Sequence, residues 1–368
     1  MNPKPRTPAS ADIVVGLGWG DEGKGATTDF LVAHRNAERV VRFNGGQQAA
    51  HNVIVDGRHH TFASYGSGTF SGISTWISKY CTIDPIAAKE EAMVLESKGI
   101  LTEFTKLLRV HEDALVTTPL HVWVNQWRES SRGDARHGST GTGFGETVGW
   151  EYQGRNPLRA KHLADEDRIL SFLNTYAEAH EITNSADNNF RPMAAYLHRC
   201  AKEVLKVVSE DHFITRISSG HTVFEGAQGF MLDQHYGTQP HTTWSTTTPS
   251  NARVLCAQAG IKNVTSWGAI RTYATRHGHG PLPGEGIVAV PEPHNDTTEW
   301  AGAFRTGAWE SSVLEKAIEV TGVDKLSISW ADKFDGIVTT EGVVPWNSFA
   351  PVGLLAKGPQ RTDREIVS

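Results

Sequence analysis

A carboxylate stands inside a glycine-rich loop near the amino terminus. Residues 18–25 read Gly-Trp-Gly-Asp-Glu-Gly-Lys-Gly and follow an apolar run that predicts a strand. Glycines at this density let backbone N–H groups approach phosphate oxygens, and Lys24 would neutralise their charge. The spacing matches the first part of a P-loop, but Gly25 stands where that motif places the Ser or Thr that binds Mg²⁺. Asp21 can supply the missing oxygen or act as a base.

A histidine follows a second glycine pair. His51 comes shortly after Gly45 and Gly46. A lone histidine is most often a core or surface side chain, but this position favours a role beside a ligand. Loops of this kind at strand ends are where α/β proteins bind ligands. Further glycine-rich segments lie at 66–72, 138–149, 226–237 and 276–286.

The pattern between these loops predicts an α/β fold with a mostly parallel central sheet and helices on both faces. Short runs rich in Val and Ile alternate with helix-like segments, which is typical of strands buried between helices. The P-loop-like glycine loop then follows the first strand. Strands are predicted at 12–18, 39–44, 114–118, 221–225, 264–273 and 325–330, and helices at 24–35, 84–98, about 160–182, about 190–209, 249–259 and 311–321.

The chain has 368 residues, which is enough for one large domain. Residues 1–10 contain three prolines and no apolar run, and they predict a disordered leader. We expect residues 11–368 to form a single α/β domain. The polar, helix-like segment at about 160–210 predicts a helical insertion within it.

Composition favours small-molecule substrates. The net charge of -6 argues against a nucleic-acid partner, and no apolar run approaches the 18 residues of a membrane span. The three cysteines lack CxxC spacing, so neither a disulfide framework nor a zinc site is indicated, and a reducing cytoplasm is expected. The histidines at 59, 60, 277 and 279 lack acidic or cysteine neighbours at metal-ligand spacing.

Together, the glycine segments resemble the signature stretches of the adenylosuccinate synthetase family across most of residues 11–363. The stretch 19–25 is nearly diagnostic of that family. The resemblance implies a ligase that joins a 6-oxopurine nucleotide to L-aspartate through a 6-phosphoryl intermediate. A nucleoside triphosphate and Mg²⁺ would drive it. Further matching stretches are 43–52, 138–145, 224–229 and 273–281.

The resemblance also implies roles for individual residues. Asp21, His51 and Lys24 would be catalytic, with Asp21 taking the purine N1 proton, and Asp21 and the carbonyl of Ala50 would bind the metal. The triphosphate would contact Gly20, Glu22, Gly23, Lys24, Gly25, Ser329, Trp330, Asp332 and Gly358. The acceptor nucleotide would contact Asp21, Gln48, Ser139, Thr140, Arg155, Gln228, Leu232 and Thr243. Thr297, Thr298 and Arg305 would bind aspartate. Arg155 would reach across a homodimer interface.

Several positions depart from the family pattern. Trp330 replaces a lysine of the segment that recognises guanine, which favours ATP or dATP over GTP as the phosphate donor. The aspartate loop keeps only Arg305 of its arginines, which favours a deoxynucleotide acceptor. These departures resemble the phage branch of the family, which converts dGMP to N6-succino-2-amino-dAMP for diaminopurine DNA, in the host cytoplasm. Asp21 differs from some phage enzymes of that branch, which carry serine at this position to admit the guanine 2-amino group.

Three other functions stay open at this point. An ordinary adenylosuccinate synthetase would use IMP and GTP. A nucleotide kinase would share the phosphate loop but should keep Ser or Thr after Lys24. A non-catalytic nucleotide-binding switch would need neither Asp21 nor His51. Dependence on L-aspartate separates the ligases from the other two.

Overall fold

Parallel strands form the centre of the molecule. The computed structural model describes residues 8–103, 105–182, 189–290, 300 and 302–367. The strands are β1 (Ser10–Gly16), β2 (Arg39–Arg42), β3 (His51–Val55), β4 (Arg58–Phe62), β5 (Ser74–Ile77), β6 (Thr82–Ile83), β7 (Leu108–His111), β8 (Leu115–Val116), β9 (Leu205–Val208), β10 (His221–Glu225), β11 (Asn263–Arg271), β12 (Ala274–His277), β13 (Phe304–Gly307), β14 (Lys325–Ser329), β15 (Ile337–Thr339), β16 (Gly342–Val344), β17 (Val352–Ala356) and β18 (Arg364–Ile366). The helices are α1 (Lys24–Arg35), α2 (Pro85–Ser97), α3 (Pro119–Ser131), α4 (Phe144–Tyr152), α5 (Glu166–Ala179), α6 (Arg191–Val204), α7 (Glu210–Ile217), α8 (Ser250–Gln258) and α9 (Ser311–Thr321).

Ten strands make the main sheet, in the order β18-β17-β14-β11-β1-β10-β2-β5-β7-β9. Their pairings are parallel except for β18, which runs antiparallel to β17. Because β1, β10 and β2 are neighbouring parallel strands, the loops that follow them leave the same edge of the sheet. Those loops carry the glycine segments near residues 18–25, 226–237 and 43–51.

Helices cover both faces of this sheet, as β1 shows. Val14 belongs to an apolar cluster with Leu31 and Val32 of α1. Ile13 lies in a different cluster that includes Leu255 of α8 and Leu314 of α9. Since neighbouring residues of a strand face opposite ways, the sheet is buried on both sides. The predicted fold class is therefore confirmed.

Two predicted boundaries are wrong. Ser10 was expected in the leader but is the first residue of β1, where its backbone N–H donates to Gly220. The predicted insertion at 160–210 contains α5 and α6, but its end is strand β9, which pairs with β7 at the edge of the main sheet. Leu205 and Val208 are buried there, so packing overrides the helical pattern.

Other elements differ in length or escaped prediction. The strand expected at 114–118 is shorter in the structure, where it is β8, and it pairs with the short β6 outside the main sheet. Strands β5, β7 and β17 and helices α3, α4 and α7 were not predicted. No helix in the described parts of the chain has the length and apolarity needed to span a bilayer.

Candidate active site

The loop between β1 and α1 is built on left-handed backbone. Gly20, Asp21 and Gly23 have φ values of 102°, 60° and 85°. A non-glycine residue in this region is strained by about 1–3 kcal/mol, so surrounding contacts must hold it. Arg271, at the end of β11, provides one, because its Nε donates to the carbonyl oxygen of Asp21 at 2.5 Å.

Glu22 supports the loop from within. Its Oε1 accepts from the backbone N–H groups of Gly18 at 3.1 Å and Gly20 at 2.8 Å. Its Oε2 accepts from Nζ of Lys24 at 2.5 Å. Both partners of this ion pair are almost fully buried. The Glu22 carboxylate therefore shapes the loop and holds the Lys24 ammonium inside it.

His51 lies beside the loop at the start of β3 and pairs with Glu225 at the end of β10. Its Nδ1 is 2.7 Å from Oε1 of Glu225, and the backbone N–H of Ser67 donates to Oε2 of the same carboxylate at 3.0 Å. Burial lowers the pKa of His51 and outweighs the opposite effect of Glu225. Burial alone would raise the pKa of Glu225, but the hydrogen bonds from His51 and Ser67 and the charge of Arg42 lower it. Glu225 is thus a charged group that orients the imidazole.

The glycine that breaks the P-loop pattern has a steric explanation. A Cβ on Gly25 would lie 2.4 Å from Cβ of His51 and 2.8 Å from Oγ of Ser67. Neither distance is tolerable for a carbon atom. The hydroxyl residue of a P-loop is therefore excluded because His51 packs directly on the first turn of α1.

The carboxylate of Asp21 faces a second histidine. Nε2 of His277 lies 3.5 Å from Oδ2 of Asp21, and the two side chains are 26% and 29% exposed. The ring of Phe304 packs edge-on against His277 with centroids 4.9 Å apart. Sequence reasoning considered His277 only as a metal ligand and missed this contact. Its position inside the glycine-rich segment 276–286 was the available signal.

The proposed base-binding residues meet at the edge of β10 and β2. Nε2 of Gln228 is 3.5 Å from the carbonyl oxygen of Gln48, and Gln228 has a φ of 65°. Both side-chain amide atoms of Gln48 are buried and have no hydrogen-bond partner within the described chain. Such groups are expected to bond to a ligand. Leu232 and Thr243 are joined by a backbone hydrogen bond of 2.8 Å.

The segment 138–145 is a turn that leads into the N-terminus of α4. Glu129 accepts from the N–H groups of Gly138 and Ser139, and Asn125 bonds to the Ser139 hydroxyl. Thr140 lies in the same turn, with its hydroxyl 3.1 Å from that of Thr142. A glycine turn before a helix N-terminus suits a phosphate group.

Arg155 lies just beyond the end of α4. Its guanidinium carbon stands 4.4 Å above the centre of the Trp150 ring, and the residue is exposed. The side chain is therefore at the surface of the molecule.

Of the predicted triphosphate residues at the end of β14 and just beyond it, Ser329 contacts the loop directly. Ser329 donates its hydroxyl to the carbonyl oxygens of Glu22 and Ile270, both at 3.1 Å. Trp330 follows with a φ of 62°, and the guanidinium of Arg271 lies 5.1 Å from its ring centre. Asp332 forms an exposed ion pair with Lys333 at 2.7 Å. Gly358 is distant in sequence from the loop at 18–25, and it lies against the side chain of Asp363.

Of the three predicted aspartate-binding residues, Thr297 and Thr298 lie outside the described residues. Arg305 lies on β13, whose neighbour β12 carries His277. Its guanidinium donates to Glu285 at 2.7 Å and to the carbonyl oxygen of Gly280 at 2.6 Å. These two bonds hold the side chain against the segment 276–286.

Comparison with known proteins identifies the family. The family profile described as adenylosuccinate synthetase matches residues 13–346. The chain belongs to the adenylosuccinate synthetase family. The adenylosuccinate synthetase of Ralstonia nicotianae is 31% identical over 350 residues, covering 89% of this chain and 77% of that one. The enzyme of Pseudomonas putida is 29% identical over 342 residues, covering 89% and 78%.

Two solved structures share the fold. Fully ligated adenylosuccinate synthetase from Plasmodium falciparum has a TM-score of 0.77 at 16% identity, covering 97% of this chain and 99% of that chain. The succinoaminodeoxyadenylate synthetase of cyanophage S-2L, bound to dGMP and dATP as an energy donor, has a TM-score of 0.68 at 19% identity, covering 98% and 95%. At these identities the likeness shows the fold alone.

Membership of the adenylosuccinate synthetase family makes the chain a carbon–nitrogen ligase of purine biosynthesis. The family uses GTP and Mg²⁺. In the described ranges no three His, Cys, Asp or Glu side chains form a metal cluster. Mg²⁺ needs none, because it commonly binds one or two carboxylates, water and substrate phosphates. The partly exposed Asp21 carboxylate and the exposed backbone of Ala50 fit such a site.

Proposed function

We propose that this ligase joins dGMP to L-aspartate with ATP or dATP as the phosphate donor, giving N6-succino-2-amino-dAMP for the synthesis of diaminopurine DNA. The observation that carries the reaction type is the position of Asp21. Its carboxylate is in the same loop as Lys24, and its main chain is held in a strained conformation by Arg271. One loop thus combines a base with a phosphate-binding cation.

The reaction needs two steps because a purine oxygen is a poor leaving group. Asp21 accepts the N1 proton of the base, which increases the electron density on O6. O6 then attacks the γ-phosphorus of the nucleoside triphosphate, and the nucleoside diphosphate leaves. The amino nitrogen of aspartate attacks C6, loses a proton, and inorganic phosphate leaves with O6.

Lys24 and His51 would stabilise the charge that moves in the first step. The Lys24 ammonium already lies in the loop beside Glu22, so it can bind the phosphates with little movement. His51 is held at Nδ1 by Glu225, so Nε2 is the ring atom left for the phosphoryl group or O6. Mg²⁺, held by Asp21, the carbonyl of Ala50 and the phosphates, would neutralise further charge.

A deoxyribose acceptor is supported by the state of Arg305. Two of its guanidinium nitrogens are already bonded to Glu285 and Gly280. These two bonds restrict the side chain, so it offers a ribose 2′-hydroxyl fewer donors than an unrestrained arginine would. A nucleotide without that hydroxyl places no such demand on the site.

An adenine donor is supported by Trp330. In the segment where the family carries lysine, this chain presents an indole whose ring lies near the Arg271 guanidinium. An indole offers stacking to any purine, but it lacks the charged ammonium with which a lysine would bind the guanine O6. The cyanophage enzyme that shares the fold was solved with dGMP and dATP, which is the same pairing.

A second pairing, IMP with GTP, has its own support. Asp332 and Asp21 are both retained, and the enzymes of Ralstonia and Pseudomonas that resemble this chain are named adenylosuccinate synthetases. Asp332 can accept hydrogen bonds from the edge of a guanine. The choice between the two pairings therefore depends on measured rates.

A matrix of substrates tests the proposed acceptor and donor. Wild-type protein is incubated with L-aspartate, Mg²⁺, one acceptor from dGMP, GMP, IMP and dIMP, and one donor from ATP, dATP and GTP. Mass spectrometry then measures the succinyl nucleotide. We expect most product from dGMP with ATP or dATP. A strong preference for IMP with GTP would overturn the proposed substrates, and triphosphate hydrolysis without aspartate incorporation would overturn the assigned reaction.

We also propose a homodimer. Aromatic side chains are exposed near the phosphate turn, where Trp123 and Trp127 of α3 are 49% and 57% exposed and Tyr152 of α4 is 62% exposed. Exposed aromatic groups near one another indicate a protein interface. Arg155 is exposed just beyond the end of α4 and would reach the nucleotide phosphate of the other copy. Analytical ultracentrifugation should show a dimer, and an Arg155→Ala variant should raise the KM for the acceptor.

A further inference from the structure

Side chains from the end of β11 and from β12 contact the catalytic loop. Arg271 donates to the carbonyl oxygen of Asp21 at 2.5 Å, and the Thr275 hydroxyl donates to the carbonyl oxygen of Gly20 at 3.2 Å. His277 contacts the Asp21 carboxylate at 3.5 Å. Thr275 and His277 share one side of β12, because side chains alternate along a strand, and Arg271 is the last residue of β11. The segment from β11 to β12 therefore supports the loop at three points.

We propose that His277 is a positioning residue that acts through Asp21. Two of the three contacts hold the loop's main chain, whereas His277 is the described side chain that contacts the carboxylate itself. With Oδ2 facing the imidazole, Oδ1 is left for the purine N1 proton. This role rests on the proposed function of Asp21 as the base.

The surroundings of His277 favour a hydrogen-bond donor at Nε2. Its Nδ1 is buried and has no hydrogen-bond partner in the described part of the chain. A buried N–H without a partner is unfavourable, whereas an N–H on Nε2 would face a carboxylate, so the hydrogen is better placed on Nε2. That places an N–H toward the negatively charged carboxylate of Asp21.

The distance between His277 and Asp21 indicates how substrate binding would strengthen their contact. At 3.5 Å the two atoms are close enough for electrostatic attraction but longer than an ordinary hydrogen bond. Both side chains are partly exposed, so a bound nucleotide can cover them and exclude water. Because Phe304 packs against the ring, the imidazole has limited freedom to turn away. The contact then fixes the carboxylate during proton transfer.

The test compares three variants by single-turnover rate with saturating acceptor, by the KM for the donor, and by thermal denaturation. His277→Ala removes the contact, His277→Gln restores an N–H donor of similar reach, and His279→Ala changes an exposed histidine two residues away. We expect His277→Ala to lower the single-turnover rate about 10–100-fold with the donor KM unchanged. His277→Gln should recover about tenfold of that loss, and His279→Ala should behave as wild type.

Two results would overturn the proposal. One is a single-turnover rate for His277→Ala within about twofold of wild type. The other is an equal loss in His277→Ala and His277→Gln, which would show that the volume of the side chain matters and its donor does not. The wild-type reaction separates this test from the proposed function. If wild type forms no succinyl nucleotide, the proposed function itself fails.

Discussion

Nδ1 of His51 lies 2.7 Å from Oε1 of Glu225, and both side chains are buried. The two residues are 174 positions apart, so the parallel sheet brings them together. The pair fixes one ring nitrogen and thereby determines which nitrogen remains for chemistry. Glu225 was not among the residues predicted for the site.

The first prediction concerns this pair. A Glu225→Gln variant keeps the shape of the side chain but removes the charge that orients His51, and its amide N–H₂ would face donors on Ser67. We expect kcat to fall about 10–100-fold with a small change in the KM for aspartate. Steady-state kinetics with the preferred substrates measures both values.

A second histidine–glutamate pair provides the control. Nε2 of His111 lies 2.5 Å from Oε2 of Glu210, on β7 and α7. Glu210→Gln should leave kcat within about twofold of wild type. An equal loss in Glu225→Gln and Glu210→Gln would contradict the assigned role of Glu225.

The second prediction separates two roles of Lys24. In Lys24→Met the buried Glu22 carboxylate loses its partner, so we expect the free energy of unfolding to fall by about 3 kcal/mol. The double variant Glu22→Gln, Lys24→Met has no unpaired charge and should recover most of that loss. Both variants should lack turnover, because neither offers a cation to the phosphates. Urea denaturation and product formation measure the two effects, and turnover in the double variant would exclude Lys24 from catalysis.

The third prediction tests why the P-loop hydroxyl is missing. Gly25→Ser restores that hydroxyl, but its Cβ would lie 2.4 Å from Cβ of His51. We expect stability to fall by about 1–3 kcal/mol and turnover to be lost as His51 is displaced. Gly149→Ser is the control, since a Cβ there meets no heavy atom within 4 Å. Normal activity in Gly25→Ser would show that the loop and His51 are less closely packed than the distance indicates.

The fourth prediction concerns pH and stability. Asp84 caps α2 by accepting from Ile86 and Ala87, and burial raises its pKa to about 6. The folded protein therefore binds this proton more tightly than the unfolded chain. The resulting contribution to stability is complete below the ordinary pKa of 3.8 and is lost as the pH rises through about 6.

An Asp84→Asn variant keeps a good helix cap without the buried charge. We expect it to be more stable than wild type by about 1–3 kcal/mol at pH 7, with the difference shrinking as the pH falls toward 4. Thermal denaturation across this range measures it. Asp165→Asn, which changes an exposed cap, is the control. A difference that does not depend on pH would contradict the raised pKa.

Local signals predicted much of the fold. Helices α1 and α9 were predicted with their observed bounds, because each has an apolar face and a clear C-terminal signal, such as Gly322 after α9. The loop 18–25 was identified from glycine spacing, and the structure places Lys24, Glu22 and Ser329 around it.

What escaped prediction depends on distant contacts. Strand β9 follows α6 without a break, and only its pairing with β7 makes it a strand. Glu225 and Arg271 complete the site through the packing of neighbouring strands, and no local pattern marks them. His277 had only its place in the glycine-rich segment 276–286 as a signal, and its contact with Asp21 depends on the fold. The sequence likewise does not predict the ion pair between Arg305 and Glu285.

The central claim is that Asp21 acts as the base in the conversion of dGMP. Asp21→Asn is the suitable variant, because asparagine tolerates the φ of 60° and keeps the size of the side chain. We expect the loss of turnover to exceed about a thousandfold, with an unchanged melting temperature. Near-normal turnover would show that another group takes the N1 proton.

The most direct measurement is a competition between acceptors. Wild-type protein receives equal concentrations of dGMP and IMP with saturating L-aspartate, dATP and Mg²⁺, and mass spectrometry follows the two succinyl products in one reaction. Their initial ratio equals the ratio of kcat/KM. We predict a ratio of about ten or more in favour of dGMP, and almost none of either product with the Asp21→Asn variant. Product formed mainly from IMP would contradict the account.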